Sequence, residues 1–242
     1  MPSPSISGNP NKPATGVNSS PRSLELHRFS IDDGNRDEAM LALLSDDERA
    51  RYARIKIPQA ARQFLAARAR LRTLLAERLQ GDPADIGFET GERGKPRLAE
   101  HAGLDFSVSH SGGWAMIALS SVGPVGVDIE QHHARRDLAA LARRFFHPEE
   151  SAYVEAGDSA ARLQRFYAIW TAKEAIAKAT GEGLATDFAA FSVLPAVVES
   201  AASVVLGPWR LAPQDAPQGY SAALAWPEVS GIGAVEGESP KE

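Results

Sequence analysis

Two long stretches of this chain carry apolar residues at helical spacing. In the first, Pro58 to Gln80, the residues Phe64, Leu65, Leu71, Leu74, Leu75 and Leu79 fall on one side of a helix. Pro58 suits its first turn and Gly81 its C-terminal cap. In the second, about Ser159 to Thr180, Leu163, Phe166, Ile169, Trp170, Ile176 and Ala177 do the same, and Gly181 ends it. Short helices come before each. One lies near Glu38 to Leu44, and another starts at Ser45, where Ser45-Asp46-Asp47-Glu48 reads as a capping box. In the second half a helix spans about Asp137 to Phe145, followed by a turn at His147-Pro148-Glu149-Glu150.

Between the helices the pattern shifts to short strands. Leu24 to Phe29, Ile86 to Glu89, Phe106 to His110, Met116 to Ser120 and Val125 to Glu130 are expected in the first part, with Gly94-Lys95-Pro96 in a turn. The last three read as an antiparallel meander. Phe191 to Leu194, Ser203 to Leu206, Trp209 to Leu211 and Tyr220 to Ala225 follow later. The order short helix, long helix, strands thus occurs twice. The expected class is α+β, with similar subdomains at 23–122 and 123–229, each a long helix on a small, mostly antiparallel sheet. Residues 1–22 read as a disordered tail and 230–242 as a flexible one, since neither has much to bury.

Composition narrows the chemistry. The chain lacks cysteine, which excludes disulfides, thiolate metal ligands and a cysteine nucleophile. Its six histidines show no H-x-x-x-H spacing, which sets zinc aside. A net charge of −5 speaks against a dedicated nucleic-acid binder. No apolar run approaches the roughly 20 residues of a membrane-spanning helix. The N-terminus lacks a charged-then-apolar leader, so the expected location is the cytoplasm. There is no Walker A loop, no G-x-G-x-x-G and no G-x-S-x-G.

What remains is a split acidic constellation. In the strand Val125 to Glu130, Val125, Val127 and Ile129 point into a core, and Gly126, Asp128 and Glu130 point the other way. Two carboxylates on one strand face repel unless exposure or a cation relieves them. Either a solvated edge or a cation site fits. Glu174 and Lys178 share a helix face, as a surface ion pair would, but Trp170 and Ile176 put them near packed surface. Lys173 lies about 100° around the axis. The segment Phe106 to Trp114 enters a glycine turn with hydroxyls and an imidazole, which suits a phosphate or a plain hairpin. Arg49, Arg51, Arg54, Lys56, Arg62, Arg68, Arg70 and Arg72 make the first half locally basic, mostly as a solvated helix face. Three carboxylates with two ammonium groups suit a divalent cation on a phosphate ester.

Together these pieces resemble the 4′-phosphopantetheinyl transferases. That family's G-[IV]-D-[IVL]-E stands here as Gly126-Val127-Asp128-Ile129-Glu130. Its W-[STA]-x-K-E-[AS]-x-x-K stands as Trp170-Thr171-Ala172-Lys173-Glu174-Ala175-Ile176-Ala177-Lys178. Gly94-Lys95-Pro96, Ser109-His110-Ser111, Arg62, and Phe145-Phe146 with Glu150 also match. The resemblance covers residues 24–225 and looks like the long, surfactin-synthetase-type branch, a monomer with pseudo-two-fold symmetry.

The resemblance implies transfer of the 4′-phosphopantetheine arm of coenzyme A to a serine hydroxyl of an apo acyl or peptidyl carrier protein, releasing adenosine 3′,5′-bisphosphate. It implies that Asp128, Glu130 and Glu174 hold Mg2+, or Mn2+ in its place, on the pyrophosphate. Lys178 would neutralise charge on the phosphate and leaving group, with Lys173 and His110 on phosphates. Asp128 and Lys178 count among the coenzyme A contacts too. Lys95 and Pro96 would sit by the adenine or the 3′-phosphate, with Ser109 and Arg62. Where the family often carries lysines for the 3′-phosphate this chain has arginines, and Arg51 is the choice. The base for the acceptor serine is Glu150 or Glu174; Glu150 is preferred because the metal occupies Glu174. Two alternatives stand beside this: a Mg2+-dependent phospho-ester or pyrophosphate hydrolase, and a catalytically silent coenzyme A or carrier-protein binding module. Neither nucleic acid nor membrane is an expected partner. Whether the carrier serves fatty-acid, polyketide or nonribosomal peptide synthesis is not written in the chain.

Overall fold

The structure is a computed structural model that describes residues 23–31, 37–91, 94–101, 103–134, 137–198, 203–229 and 236–238. The first half opens with β1 (Leu24–Ser30), the short helices α1 (Asp37–Ala42) and α2 (Asp46–Arg54), and the long helix α3 (Pro58–Leu79). Ser45 and Glu48 close the capping box of α2 as their spacing predicts. Pro58 sits in the first turn of α3, where its missing N–H is no loss. The end of α3 differs from expectation by one residue: Gln80, not Gly81, takes the left-handed conformation, at φ 55°. Then come β2 (Phe88–Thr90), β3 (Pro96–Leu98), β4 (Asp105–Ser111) and β5 (Trp114–Ser120).

The second half contains β6 (Gly126–Gln131), α4 (Leu138–Phe145), α5 (Pro148–Glu155), the long helix α6 (Ser159–Thr180), α7 (Leu194–Val198), β7 (Val204–Leu206), β8 (Trp209–Gln214), β9 (Tyr220–Pro227) and β10 (Glu236–Glu238). Asp158 caps α6 at one end and Gly181, at φ 72°, ends it at the other. Four expectations are corrected. His147 to Glu150 is no turn; it starts α5, with His147 at the N-cap and Pro148 in the first turn. Phe191 to Leu194 is no strand: Pro195 pre-sets the first turn of α7 instead. The meander stops at β5, because β6 leaves for a second sheet and pairs with β9. Within the expected C-terminal tail, β10 pairs in parallel with β1.

Two four-stranded sheets result, β10-β1-β5-β4 and β6-β9-β8-β7, beside the small β2-β3 pair. Leu71, Leu74 and Leu75 of α3 pack on Phe106, Ile117 and Leu119 of the first sheet. Phe166, Ile169, Ala172 and Ala175 of α6 pack on Leu211, Ala223 and Ala225 of the second. A third core joins the sheets, with Leu24, Leu26, Met116 and Ala118 against Val127, Ile129, Ala222 and Leu224. The class is α+β, two alike halves as the sequence predicts. Among the described residues no helix is long and apolar enough to cross a membrane.

Where the two sheets meet, β4 lies against β6. No backbone ladder joins these strands; serine hydroxyls do. The amides of Val127, Ile129 and Gln131 donate to Oγ of Ser107, Ser109 and Ser111 at 3.1, 3.3 and 3.0 Å. Lys95 adds a second link, its Nζ donating to Asp105 Oδ2 at 2.6 Å and to the Val125 carbonyl at 2.9 Å. The Val125 amide donates to the same Asp105 oxygen at 2.7 Å.

Candidate active site

The alternation along β6 holds as the sequence predicts. Val127 and Ile129 are fully buried in the core between the sheets, while Asp128 and Glu130 face the other way. Gly126 shares their face, and α6 crosses directly over it. A Cβ there would meet the Ala175 carbonyl oxygen at 1.9 Å and the Ala179 nitrogen at 2.5 Å. Only glycine permits that approach. The approach carries Glu174 and Lys178 of α6 to the carboxylates of β6. The solvated-edge reading of Asp128 fails, since it is only 3% exposed.

The polar partners of this cluster are specific. Lys178 Nζ donates to Asp128 Oδ1 at 2.7 Å and to the Val127 carbonyl at 3.0 Å. Ser109 Oγ donates to the same carboxylate oxygen at 2.7 Å, and Ser111 Oγ donates to Glu130 Oε2 at 2.8 Å. Asp128 Oδ2 is buried with no hydrogen-bond partner. Such an atom costs the fold its full desolvation unless a bound group satisfies it. Burial raises the pKa of Glu174 above its ordinary 4.5; Asp128 and Glu130 add to this, and Lys178 opposes it. Excess negative charge and an orphaned carboxylate oxygen fit a hard cation. Among the described residues no group of three or more His, Cys, Asp or Glu side chains is arranged to hold a metal ion by itself. Mg2+ does not need a complete protein site, because phosphate oxygens and water fill much of its shell.

These groups line a cleft of about 710 Å3. Asp128, Glu130, Glu174 and Lys178 come from the second half. From the first half come Ser109 and His110 of β4, Arg51 of α2, and Lys95 with Pro96 beside the turn before β3. His110 keeps solvent exposure, but partial desolvation against the cleft wall lowers its pKa below 6.5 and nearby Lys178 lowers it further, so the ring is neutral at neutral pH. Arg51 lies over the Phe64 ring at 5.0 Å. Arg68 also lines the cleft, and not the solvated helix face expected for most of the basic residues here. It pairs with Glu48 Oε1 at 3.2 Å, and its Nη1 is buried without a partner. The signal was present: Phe64, Arg68 and Leu71 recur at helical spacing, so Arg68 falls on the packed side of α3.

Three of the expected site residues are not brought to the cleft lining: Arg62, Glu150 and Lys173. Glu150 and Lys173 meet each other instead. Their side chains are 0% exposed and 2.8 Å apart. Glu150 also accepts the amides of His147 and Val193 at 2.9 and 2.7 Å. Lys173 donates to the carbonyls of Phe188 and Phe191, both at 2.6 Å, and lies over the Phe191 ring. Burial lowers the Lys173 pKa below 10.5, against the pull of Glu150. Glu174 and Lys173 are chain neighbours, but one step along a helix turns the side chain by about 100° and separates cleft from core.

Fold and cleft together define a class. Residues 124–225 match the 4′-phosphopantetheinyl transferase superfamily, and residues 35–122 match the N-terminal family of 4′-phosphopantetheinyl transferases. The chain belongs to this superfamily, and it is an enzyme of the type represented by Sfp. Among its relatives, a Synechocystis sp. protein is 41% identical over 145 residues, 59% of this chain and 59% of its own length. The 4′-phosphopantetheinyl transferase HetI of Nostoc sp. is 36% identical over 166 residues, 67% of this chain and 70% of its own length. The 4′-phosphopantetheinyl transferase Sfp of Bacillus subtilis is 31% identical over 157 residues, 65% of this chain and 69% of its own length.

Proposed function

We propose that the protein transfers the 4′-phosphopantetheine arm of coenzyme A to a serine hydroxyl of an apo acyl or peptidyl carrier protein, using Mg2+ and releasing adenosine 3′,5′-bisphosphate. It acts as a monomer in the cytoplasm. One observation carries this reading: the partnerless buried Oδ2 of Asp128 beside the raised proton affinity of Glu174, in a cleft shared by both halves. Residues 23–122 supply nucleotide contacts, and 123–229 supply the cation site and the proton acceptor.

Asp128, Glu130 and Glu174 would hold the cation, Mg2+ or Mn2+. When bound, it neutralises charge on the pyrophosphate oxygens. Lys178, held against Asp128, stabilises the charge that builds on the leaving phosphate. His110, neutral at working pH, hydrogen-bonds a phosphate. Arg51, Arg68, Lys95 and Pro96 take the nucleotide end, with Arg68 offering its buried, partnerless Nη1. The serine oxygen attacks the phosphorus that bears pantetheine. The bond from that phosphorus to the adenosine bisphosphate oxygen breaks. Of the two candidate bases only Glu174 lines the cleft; since it would also hold the cation, it would accept the serine proton by way of a water between them. Glu150, enclosed with Lys173, then holds structure and not substrate.

The test is the intact mass of an apo acyl carrier protein after incubation with the protein, coenzyme A and Mg2+, beside an EDTA control. The expected result is a gain of one phosphopantetheine that EDTA abolishes. Breakdown of coenzyme A without an adduct would make the protein a hydrolase. Coenzyme A bound but intact, across several carrier proteins, would make it a binding module.

A further inference from the structure

We infer that the serines of β4 aim the carboxylates of β6, with Ser111 as the positioning residue for Glu130. The inference rests on the cation reading proposed above. It starts from a repeat in the hydrogen bonds. Ser109 Oγ accepts the Ile129 amide at 3.3 Å and donates to Asp128 Oδ1 at 2.7 Å. Ser111 Oγ accepts the Gln131 amide at 3.0 Å and donates to Glu130 Oε2 at 2.8 Å. Each hydroxyl accepts a hydrogen bond from one backbone amide and donates one to the carboxylate a residue earlier.

This arrangement fixes direction as well as distance. A serine hydroxyl has one proton and two acceptor lone pairs, and it rotates freely unless something holds it. Here the arriving amide occupies a lone pair and leaves the proton aimed at the carboxylate. A bond to an ionised acceptor is short and strong. The strand backbone therefore orients the hydroxyl, and the hydroxyl orients the carboxylate. One oxygen of each carboxylate is pinned at the seam, and Asp128 Oδ2 is the partnerless oxygen that remains.

The third serine is a control built into the fold. Ser107 Oγ accepts the Val127 amide at 3.1 Å, as its neighbours accept theirs. The residue before that amide is Gly126, and α6 leaves no room there for any side chain. Ser107 thus supports the seam and aims nothing. Ser109 shares Asp128 with Lys178, so its removal disturbs two groups. Ser111 is the cleaner probe.

The experiment compares Ser107→Ala, Ser111→Ala and Ser111→Thr with wild type in two readouts. One is Mn2+ binding in the presence of coenzyme A, followed by the electron paramagnetic resonance signal of free Mn2+. The other is the melting temperature without metal. Groups that hydrogen-bond a metal ligand typically contribute about 10- to 100-fold in affinity. Ser111→Ala is expected to weaken Mn2+ binding at least about tenfold, and Ser111→Thr, which keeps the hydroxyl, to restore most of it. Ser107→Ala should lower the melting temperature and leave Mn2+ affinity near wild type. If Ser111→Ala does not fold, Ser111→Cys replaces it, since a thiol is a weak donor. Wild-type affinity in Ser111→Ala, or an equal loss in Ser107→Ala, overturns the positioning role alone. Wild type that takes up no Mn2+ overturns the cation reading and the role built on it.

Discussion

Lys178 serves two neighbours at once. Its ammonium holds Asp128 Oδ1 at 2.7 Å, and its charge adds to partial desolvation in keeping the His110 ring neutral. A histidine with a folded pKa below 6.5 binds its proton more weakly in the fold than in the unfolded chain. Stability from this group is thus complete above 6.5 and is lost as the pH falls from 6.5 to the lower folded value. Replacing Lys178 by Met should raise the His110 pKa part of the way to 6.5, since partial desolvation, the larger cause, stays. Nuclear magnetic resonance of the ring Cε1 proton checks this, and an unmoved pKa would count against the coupling. At this scale the sequence was legible where side chains alternate. Asp128, Glu130, Glu174 and Lys178 all line the cleft. Glu150 was not legible. A glutamate reads as exposed unless its buried partner is known, and Lys173 sits in a motif that drew it toward the phosphates.

Elements are tied together by that same hidden pair. Glu150 of α5 and Lys173 of α6 also bind backbone groups of Phe188, Phe191 and Val193, which lead into α7. Removing one partner of a buried pair typically costs about 3–5 kcal/mol, because a charge is left in low dielectric. Lys173→Met should lose that much in urea unfolding. The double variant with Glu150→Gln should recover part of it, since the buried charge is gone and the one amide oxygen can still accept one of the two backbone N–H groups of His147 and Val193. A single variant as stable as wild type would refute the structural role. Helix ends with strong signals were readable, at Ser45, Pro58 and Gly181. The short helices α5 and α7 were not, because a proline near the start of a helix looks the same in sequence as one in a turn. Nor does alternation say which sheet a strand joins, and sequence order alone puts β6 beside β5 and not beside β9.

On the scale of the whole molecule, the cleft lies on the seam between the sheets and draws residues from both halves. A ligand there should stabilise both halves together. At 100 times its dissociation constant it contributes about 2.7 kcal/mol. Coenzyme A with Mg2+ should therefore raise a single melting transition and slow hydrogen exchange in both β4 and β6. Protection confined to one half would show that the seam is not the binding site. The seam itself was invisible in sequence, since serines in a strand announce neither their partners nor their register.

The serine bonds also bear on solubility. Unpaired strand edges invite pairing with other chains, and proteins commonly blunt them with charges or bulges. β4 and β6 each end their sheet on one side. By meeting through hydroxyls, the two edges cap one another and offer no template to a second molecule. A variant that opened the seam would then endanger the protein in a way no kinetic assay reports. It would expose two half-satisfied edges, and the first sign of the damage would be aggregation.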